Sequence, residues 1–308
     1  ILFWVYHNFD FTKVGEVLLH GTNWWWMFFS LLFGVLAQVF RGWRWKQMLE
    51  PLEAFPKRSD CVNAIFISYA ASLIVPRVGE VSRCGVLAKY DNVSFAKSLG
   101  TVVTERLVDT LTILLITGVT VLLQLPIFVT FLQQTGTKIP SLLHLLTSVW
   151  FYIVLFCFIG VGMLLYYLRK TLFFYERVKG FVLNIWEGVM SLKGVRNIPL
   201  FSFYTLAIWG CYFFHFYFTF YCFAFTAHLS ILAALVMFVG GTFAVIVPTP
   251  NGAGPWHFAV ISMMMLYGVN ETDAGIFALI VHGIQTFLVV LLGVYGLAAL
   301  SLTNRQRK

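Results

Sequence analysis

Apolar runs long enough to cross a bilayer recur along this sequence. They cover residues 24–40, 99–123, 142–168, 200–226 and 274–302. A helix needs about 20 apolar residues to span a hydrocarbon core about 30 Å thick, and no run shows the strict alternation of a barrel strand. Only 11% of the residues are charged, too few for the surface of a soluble globule, where about 25% is usual. We therefore predict an all-α polytopic integral membrane protein.

The chain begins inside a further apolar run, ILFWVY. We interpret this run as the remainder of a truncated first spanning helix, which gives about six spanning helices in a single domain, 1–308. The five cysteines form no CxxC pair, and no HExxH, GxSxG, Walker or GxGxxG pattern occurs. We therefore expect no disulfide framework, no metal, no cofactor and no enzymatic activity.

The basic residues lie in short blocks between the apolar runs. Lys and Arg number five in 41–60, six in 169–196 and three in 304–308, but one each in 8–23 and 125–141. Segments 227–230 and 269–273 contain none. The positive-inside rule assigns the first three segments to the cytoplasm. We expect a multi-pass protein of the cytoplasmic (inner) membrane with a cytoplasmic C-terminus, and no nucleic-acid partner.

Two segments fit this orientation only if they do not cross the membrane. Segments 61–97 and 231–268 each contain two short apolar or mixed halves around a Pro/Gly break, which predicts two re-entrant hairpins that enter from opposite sides. The residues that form the breaks are Pro76, Gly79, Pro248, Pro250, Asn251, Gly252 and Gly254. Paired broken helices of inverted topology are typical of a transporter's binding site. The alternative is that 231–247 is an ordinary short span followed by an ordinary loop.

Charged residues follow the first break directly, in the stretch VPRVGEVSR. Arg77 and Arg83 supply planar guanidinium groups suited to a phosphate, which in a membrane belongs to a phospholipid. Glu80 lies between them and would neutralise the arginines or meet a cationic headgroup. The alternative is a cytoplasmic basic loop whose charges sit in water near anionic lipid.

A second charged group, Glu105, Arg106 and Asp109, lies near the start of the run 99–123. Glu105 and Asp109 are one helical turn apart, which is unfavourable for like charges unless cations approach them. Because charge is costly inside a membrane, the pair should face protein, with Arg77 and Arg83 as candidate partners. If only 107–123 spans the membrane, the charges instead lie at the cytoplasmic interface.

The motif RGWRW, residues 41–45, ends the preceding run. Interfacial tryptophan and extended arginine side chains are expected there, so we interpret Arg41 and Arg44 chiefly as interfacial anchors. Both are also candidates to bind a lipid phosphate. His257 and His282 fall in apolar C-terminal segments. They are candidates for a headgroup or proton site, although an isolated membrane histidine is more often hydrogen-bonded packing.

RGWRW, PRVGEVSR, ERLVD and PTPNGAG together, in this order, resemble the lysylphosphatidylglycerol synthase transmembrane family. This is the flippase-like membrane region of the multiple peptide resistance factor, also found as stand-alone proteins. The resemblance implies a domain that translocates aminoacylated or otherwise modified lipids, while a separate soluble domain makes them in fused members. The present sequence departs from the family pattern where Asn251 replaces a glycine and His257 replaces a glutamate.

The leading hypothesis is a flippase or transporter that binds a membrane phospholipid or a modified lipid. A membrane-embedded transferase acting on a lipid-linked substrate is the alternative, although no donor-binding motif is visible. A third hypothesis is an accessory subunit of a separate lipid-modifying enzyme.

Overall fold

The computed structural model describes residues 11–127 and 175–305, together with positions 2, 6, 9, 149, 152, 153, 156, 157 and 160. Across these residues the secondary structure is helical. The helices are α1 (Thr12–Glu16), α2 (Trp24–Leu49), α3 (Arg58–Ile74), α4 (Val78–Asp91), α5 (Phe95–Leu123), α6 (Tyr175–Met190), α7 (Ile198–Tyr217), α8 (Ile231–Ala244), α9 (Pro255–Leu266) and α10 (Glu271–Arg305). Short 3₁₀ segments follow α2, α6 and α7, and another lies between α8 and α9.

Four of the helical segments are long and apolar enough to cross a membrane. They are Trp24–Leu52, Phe95–Leu123, Ile198–Cys222 and Glu271–Thr303. These segments confirm four of the predicted spans as long apolar helices. The predicted span 142–168 and the N-terminal run lie almost wholly outside the described residues.

The two predicted breaks are real interruptions between helices. Pro76 restricts the residue before it to extended backbone, and Val75 accordingly has φ −129° and ψ 117°. Arg77 then adopts a left-handed φ of 65° before α4 begins. In the second break, Asn251 has φ 51°, and both Gly252 and Gly254 also have positive φ. Asparagine and glycine tolerate this conformation better than other residues, which explains their use here.

The first helix pair, α3 and α4, is anchored near the C-terminal end of α2. Cys61 lies in the first turn of α3 and Val93 just beyond α4, and both are buried in one apolar cluster with Trp45 and Leu49. Both outer ends of the pair therefore lie at the same end of α2.

The second helix pair, α8 and α9, is anchored at the other end of α2. Leu229 and Val269, which flank this pair, are buried in a different cluster that contains Met27. Since α2 has 26 residues, it is about 39 Å long. The outer ends of the two broken pairs thus lie at opposite ends of one long helix, and a hydrogen bond from Arg77 to Ile246 shows that their inner ends meet.

Candidate functional site

The two breaks meet at a cavity of about 180 Å³. The first pair contributes polar and charged side chains, the second contributes its break, and α2 and α5 each contribute an arginine. The lining residues are Arg41, Ile65, Ser68, Tyr69, Ser72, Pro76, Arg77, Glu80, Arg83, Arg106, Val245, Pro248, Thr249, Asn251 and Gly252. The two prolines that mark the breaks, far apart along the chain, therefore share one site.

Arg77 joins the two breaks directly. Its Nη2 donates a hydrogen bond of 2.9 Å to the carbonyl oxygen of Ile246. Because the second break is not helical, its carbonyls need partners from elsewhere in the protein, and Arg77 supplies one. Arg77 is exposed at the cavity.

Behind the cavity, two carboxylates on α5 are surrounded by arginines. Glu105 accepts hydrogen bonds from Arg41 and from Arg83 Nη1, the latter at 2.8 Å. Asp109 accepts from Arg41 Nη1 at 2.8 Å and from Arg44 Nη2 at 2.7 Å. Glu105 is 0% exposed and Asp109 6%. The prediction that this acidic pair faces protein is confirmed.

The partners of the acidic pair differ in part from those expected. Arg83 contacts Glu105 as anticipated, whereas Arg77 binds Ile246 instead. The candidate pairing of Arg77 with the carboxylates was therefore wrong, because the left-handed turn at Arg77 directs its side chain toward the second break.

The interpretation of Arg41 and Arg44 as interfacial anchors was also wrong. Arg41 is 3% exposed, and Arg44 and Trp45 are 0% exposed. Spacings of three and four residues put all three on one face of α2, and this face packs against α5. Arg44 also donates to Thr205 Oγ1 on α7 at 3.2 Å, so it ties α2, α5 and α7 together.

Arg106 and Glu80 form the half-exposed edge of the charge cluster. Arg106 Nε lies 3.4 Å from Glu80 Oε1, and its Nη2 lies 3.2 Å from Glu105 and 3.4 Å from Asp109. The side chains of Arg106 and Glu80 are 44% and 38% exposed. Of the described carboxylates, Glu80 is the one that lines the cavity.

The Arg83 side chain is fixed by its neighbours, but only part of its hydrogen-bonding capacity is satisfied. Its guanidinium carbon lies 4.7 Å from the centre of the Trp45 ring, a cation–π contact. Trp45 in turn donates to Thr101 Oγ1 at 2.8 Å, which fixes the ring. Arg83 is 1% exposed, yet its Nε and Nη2 have no hydrogen-bond partner among the described residues. A buried donor without a partner is costly, and Arg83 is one of the residues that line the cavity.

The second break is fastened to α10 and α9. Asn251 Nδ2 donates to Thr286 Oγ1 at 2.8 Å, and His282 Nε2 contacts the Asn251 carbonyl oxygen at 3.0 Å. His257 Nδ1 accepts the backbone N–H of Gly254 at 3.3 Å, which caps the start of α9. A glutamate at position 257 could accept the same N–H, so His257 preserves the cap without a negative charge.

His257 and His282 are not among the residues that line the cavity. Their ring centres are 4.5 Å apart, and His257 is 3% exposed. The contacts seen for both rings are those of structural residues that hold the second break. A headgroup or proton role for either histidine stays a prediction.

Four polar lining residues, Ser68, Tyr69, Ser72 and Thr249, were not among the predicted site residues. Tyr69 and Tyr212 share a hydrogen bond of 2.6 Å between their hydroxyl groups. Ser72 lies four residues after Ser68 and three after Tyr69, so the three hydroxyl groups lie on one face of α3. This spacing could have been recognised in the sequence. In the part of the chain that the structure describes, no three His, Cys, Asp or Glu side chains could together hold a metal ion.

The family comparison agrees with the resemblance carried by the motifs. The model of the family described as "Lysylphosphatidylglycerol synthase TM region" matches residues 1–293. Comparisons with curated proteins and with solved structures return no match. The match and the four long apolar helices identify a multi-pass membrane protein. This chain belongs to the lysylphosphatidylglycerol synthase transmembrane-region family.

Proposed function

We propose that the protein binds a phospholipid headgroup in the cavity between its two breaks and moves the lipid between leaflets of the cytoplasmic membrane. The observation that carries this proposal is the meeting of two broken helix pairs, anchored at opposite ends of α2, at one polar cavity. In transporters, such paired breaks form the substrate site. Membership of a family named for a lipid supports a lipid ligand.

In this proposal, both broken pairs re-enter the membrane rather than cross it. The excess of basic residues in 41–60, 169–196 and 304–308 favours a cytoplasmic origin for α3 and α4, an external origin for α8 and α9, and a cytoplasmic C-terminus. Non-helical backbone within a bilayer must be satisfied by protein or by a water-filled cavity. The bond from Arg77 to Ile246 and the polar cavity meet that requirement.

The proposed phosphate ligands are Arg77 and Arg83. Both line the cavity. Arg77 is exposed there and donates to Ile246 through Nη2, and Arg83 Nε and Nη2 make no hydrogen bond to the described residues. Arg41 and Arg44 are engaged with Glu105 and Asp109, so we assign them to holding the site together. The proposal assigns no covalent step to this chain.

Reconstitution into liposomes tests this function. Phospholipid with a fluorescent headgroup or chain label is placed in both leaflets, and an impermeant reductant then quenches whatever reaches the outer leaflet. The wild-type protein should allow quenching beyond the outer-leaflet fraction that protein-free liposomes show. Lipid movement no faster than in protein-free liposomes would overturn the proposed function.

Arg77→Asn tests the site within the same assay. Asparagine tolerates the positive φ at this position and removes the guanidinium. The rate should fall about ten-fold or more, as expected for loss of a hydrogen bond to a charged group. Arg58→Gln removes an exposed arginine at the far end of α3 and should leave the rate unchanged. A wild-type rate in Arg77→Asn contradicts the site assignment.

A further inference from the structure

The charges around the cavity do not balance. Among the residues that the structure describes, four arginines line it, namely Arg41, Arg77, Arg83 and Arg106, against one carboxylate, Glu80. Including the ion-pair partners Arg44, Glu105 and Asp109 gives five guanidinium groups against three carboxylates, an excess of two positive charges. Arg77 and Arg106 are exposed, so part of this positive charge is open to a ligand of opposite sign. Arg41, Arg44 and Arg83 are buried, and buried charge of one sign is costly unless an opposite charge joins it.

The carboxylates behind the cavity are saturated. Glu105 lies within 3.4 Å of Arg44, within 3.2 Å of Arg106 and within 2.8 Å of Arg83, and also pairs with Arg41. Like Asp109, it is buried behind the lining residues. Behind the cavity, a cationic group would therefore find no free acidic partner in the described part of the chain.

The remaining carboxylate is also engaged. Glu80 lines the cavity, but its Oε1 lies 3.4 Å from Arg106 Nε. A ligand's ammonium group would have to compete with Arg106 for Glu80 and would meet the repulsion of the neighbouring arginines.

The unused groups are mostly hydrogen-bond donors. Within the described ranges, Arg83 Nε and Nη2 lack partners although the side chain is almost fully buried. The Thr249 hydroxyl, which belongs to the second break, also has no partner among the residues that the structure describes. Arg77 lies at the same cavity and uses one N–H on Ile246. Phosphate oxygens, which only accept, are the matching chemistry.

Resting on the proposed function, we infer that this site selects headgroups of net negative charge and disfavours headgroups that carry an ammonium group. Its ligand is a phosphate ester with a neutral or hydroxylated substituent, rather than a zwitterionic or aminoacylated lipid. The two excess positive charges counted over the described residues, together with the unpartnered N–H groups of Arg83, set this preference. A phosphate ester of this kind belongs either to a lipid or to a soluble metabolite.

Competition binding to the full chain in detergent tests the inference. A fluorescent short-chain phosphatidylglycerol is displaced by unlabelled lipids with matched acyl chains: phosphatidic acid, phosphatidylglycerol, phosphatidylcholine and lysyl-phosphatidylglycerol. The two anionic lipids should compete at least about ten-fold better than the zwitterionic and cationic ones, the size expected for one charge-assisted contact. Equal or reversed preference overturns the inference.

Soluble glycerol phosphate separates the two sources of the ligand. Competition far weaker than that of phosphatidylglycerol supports a lipid headgroup. Competition as strong as that of the lipid keeps the anion selectivity but contradicts the lipid source. Failure of the fluorescent lipid to bind at all overturns both the inference and the proposed function, whereas lipid movement with a preference for lysyl-phosphatidylglycerol overturns the inference alone.

A charge reversal at Arg77 tests the inference through a ratio of two lipid affinities, which a loss of folded protein alone does not change. The ratio of phosphatidylglycerol to phosphatidylcholine affinity should fall about ten-fold in Arg77→Glu, because one of the two excess charges is replaced by a negative one. Arg58→Glu, at the outer end of α3, should keep the wild-type ratio. Glu80→Gln removes the lining carboxylate and should raise the ratio. An unchanged ratio in both Arg77→Glu and Glu80→Gln contradicts the assignment.

Discussion

Arg77 and Ile246 are 169 positions apart in the chain, yet the Arg77 guanidinium donates a 2.9 Å hydrogen bond to the Ile246 carbonyl. This bond joins the two breaks across the cavity. The breaks belong to helix pairs anchored at opposite ends of α2. Their contact therefore makes one site from two separate parts of the chain.

Cross-linking should report this contact. In a background without the five native cysteines, Arg77→Cys with Ile246→Cys should be joined by a bifunctional thiol reagent in most molecules. Arg77→Cys with Glu271→Cys should give little product. Glu271 lies four residues after Tyr267, whose hydroxyl donates to Gln124 at the end of α5. Gln124 is about 27 Å along α5 from Arg106, which lines the cavity, so Glu271 is far from the breaks. Gel mobility measures the cross-linked fraction of each double variant. Equal cross-linked fractions would contradict the meeting of the two breaks.

Gly79 permits the close packing of α4 on α3. A Cβ at Gly79 would overlap the Ser68 carbonyl oxygen and the Ser72 hydroxyl, which also accepts the Gly79 N–H. Gly79→Ala should lower stability by about 1–3 kcal/mol, the usual cost of overpacking. Gly85 lies on the same helix, and a Cβ added there would meet no atom of the described residues within 4 Å.

Gly85→Ala is therefore the matched control, and should be neutral or stabilise the protein by up to about 1 kcal/mol through helix propensity. Thermal unfolding in detergent measures both variants. Equal melting temperatures for the two would show that α4 does not pack on α3 as described.

Replacing the buried acid Glu105 should destabilise the protein more than replacing an exposed acid that also belongs to an ion pair. Glu105→Gln leaves the arginines around it with Asp109 as their remaining buried counter-charge, and breaking a buried pair costs about 3–5 kcal/mol. Glu187→Gln removes the partner of Lys97, whose pair with Glu187 is largely open to the surroundings, and should cost about 0–1 kcal/mol. Melting temperatures in detergent compare the two variants. A loss of stability in Glu105→Gln no larger than that in Glu187→Gln would contradict the buried charge cluster.

Thiol labelling tests the proposed re-entry of α8 and α9. Exposed positions flank this pair, at His228 and Glu271. If the pair re-enters, His228→Cys and Glu271→Cys should both react with an impermeant maleimide applied to intact cells. Glu53→Cys, in the basic connection after α2, should react only after permeabilisation. Reaction of 228 and 271 from opposite sides would mean that the pair crosses the membrane.

Much of this architecture was predictable because it depends on local properties of the sequence. Apolar length determines the long helices, and Pro76, Pro248 and the neighbouring glycines and asparagine mark the breaks. The spacing of Glu105 and Asp109, with the cost of exposing charge to lipid, predicts that they face protein. Each of these inferences needs only a segment of the chain and its helical period.

What the sequence determined by itself was therefore the class of protein, the position of its helices and breaks, and the residues that carry charge. Tertiary structure decided which charges meet. The rotation of α2 about its axis buried Arg41, Arg44 and Trp45 against α5 instead of leaving them at the lipid interface. Arg41 thereby bonds Glu105, which lies 64 positions later in the chain. The left-handed turn at Arg77 sent its side chain to the second break. Such pairings depend on how whole helices rotate and shift against one another, and the hydrophobic pattern of a nearly all-apolar helix does not specify that rotation.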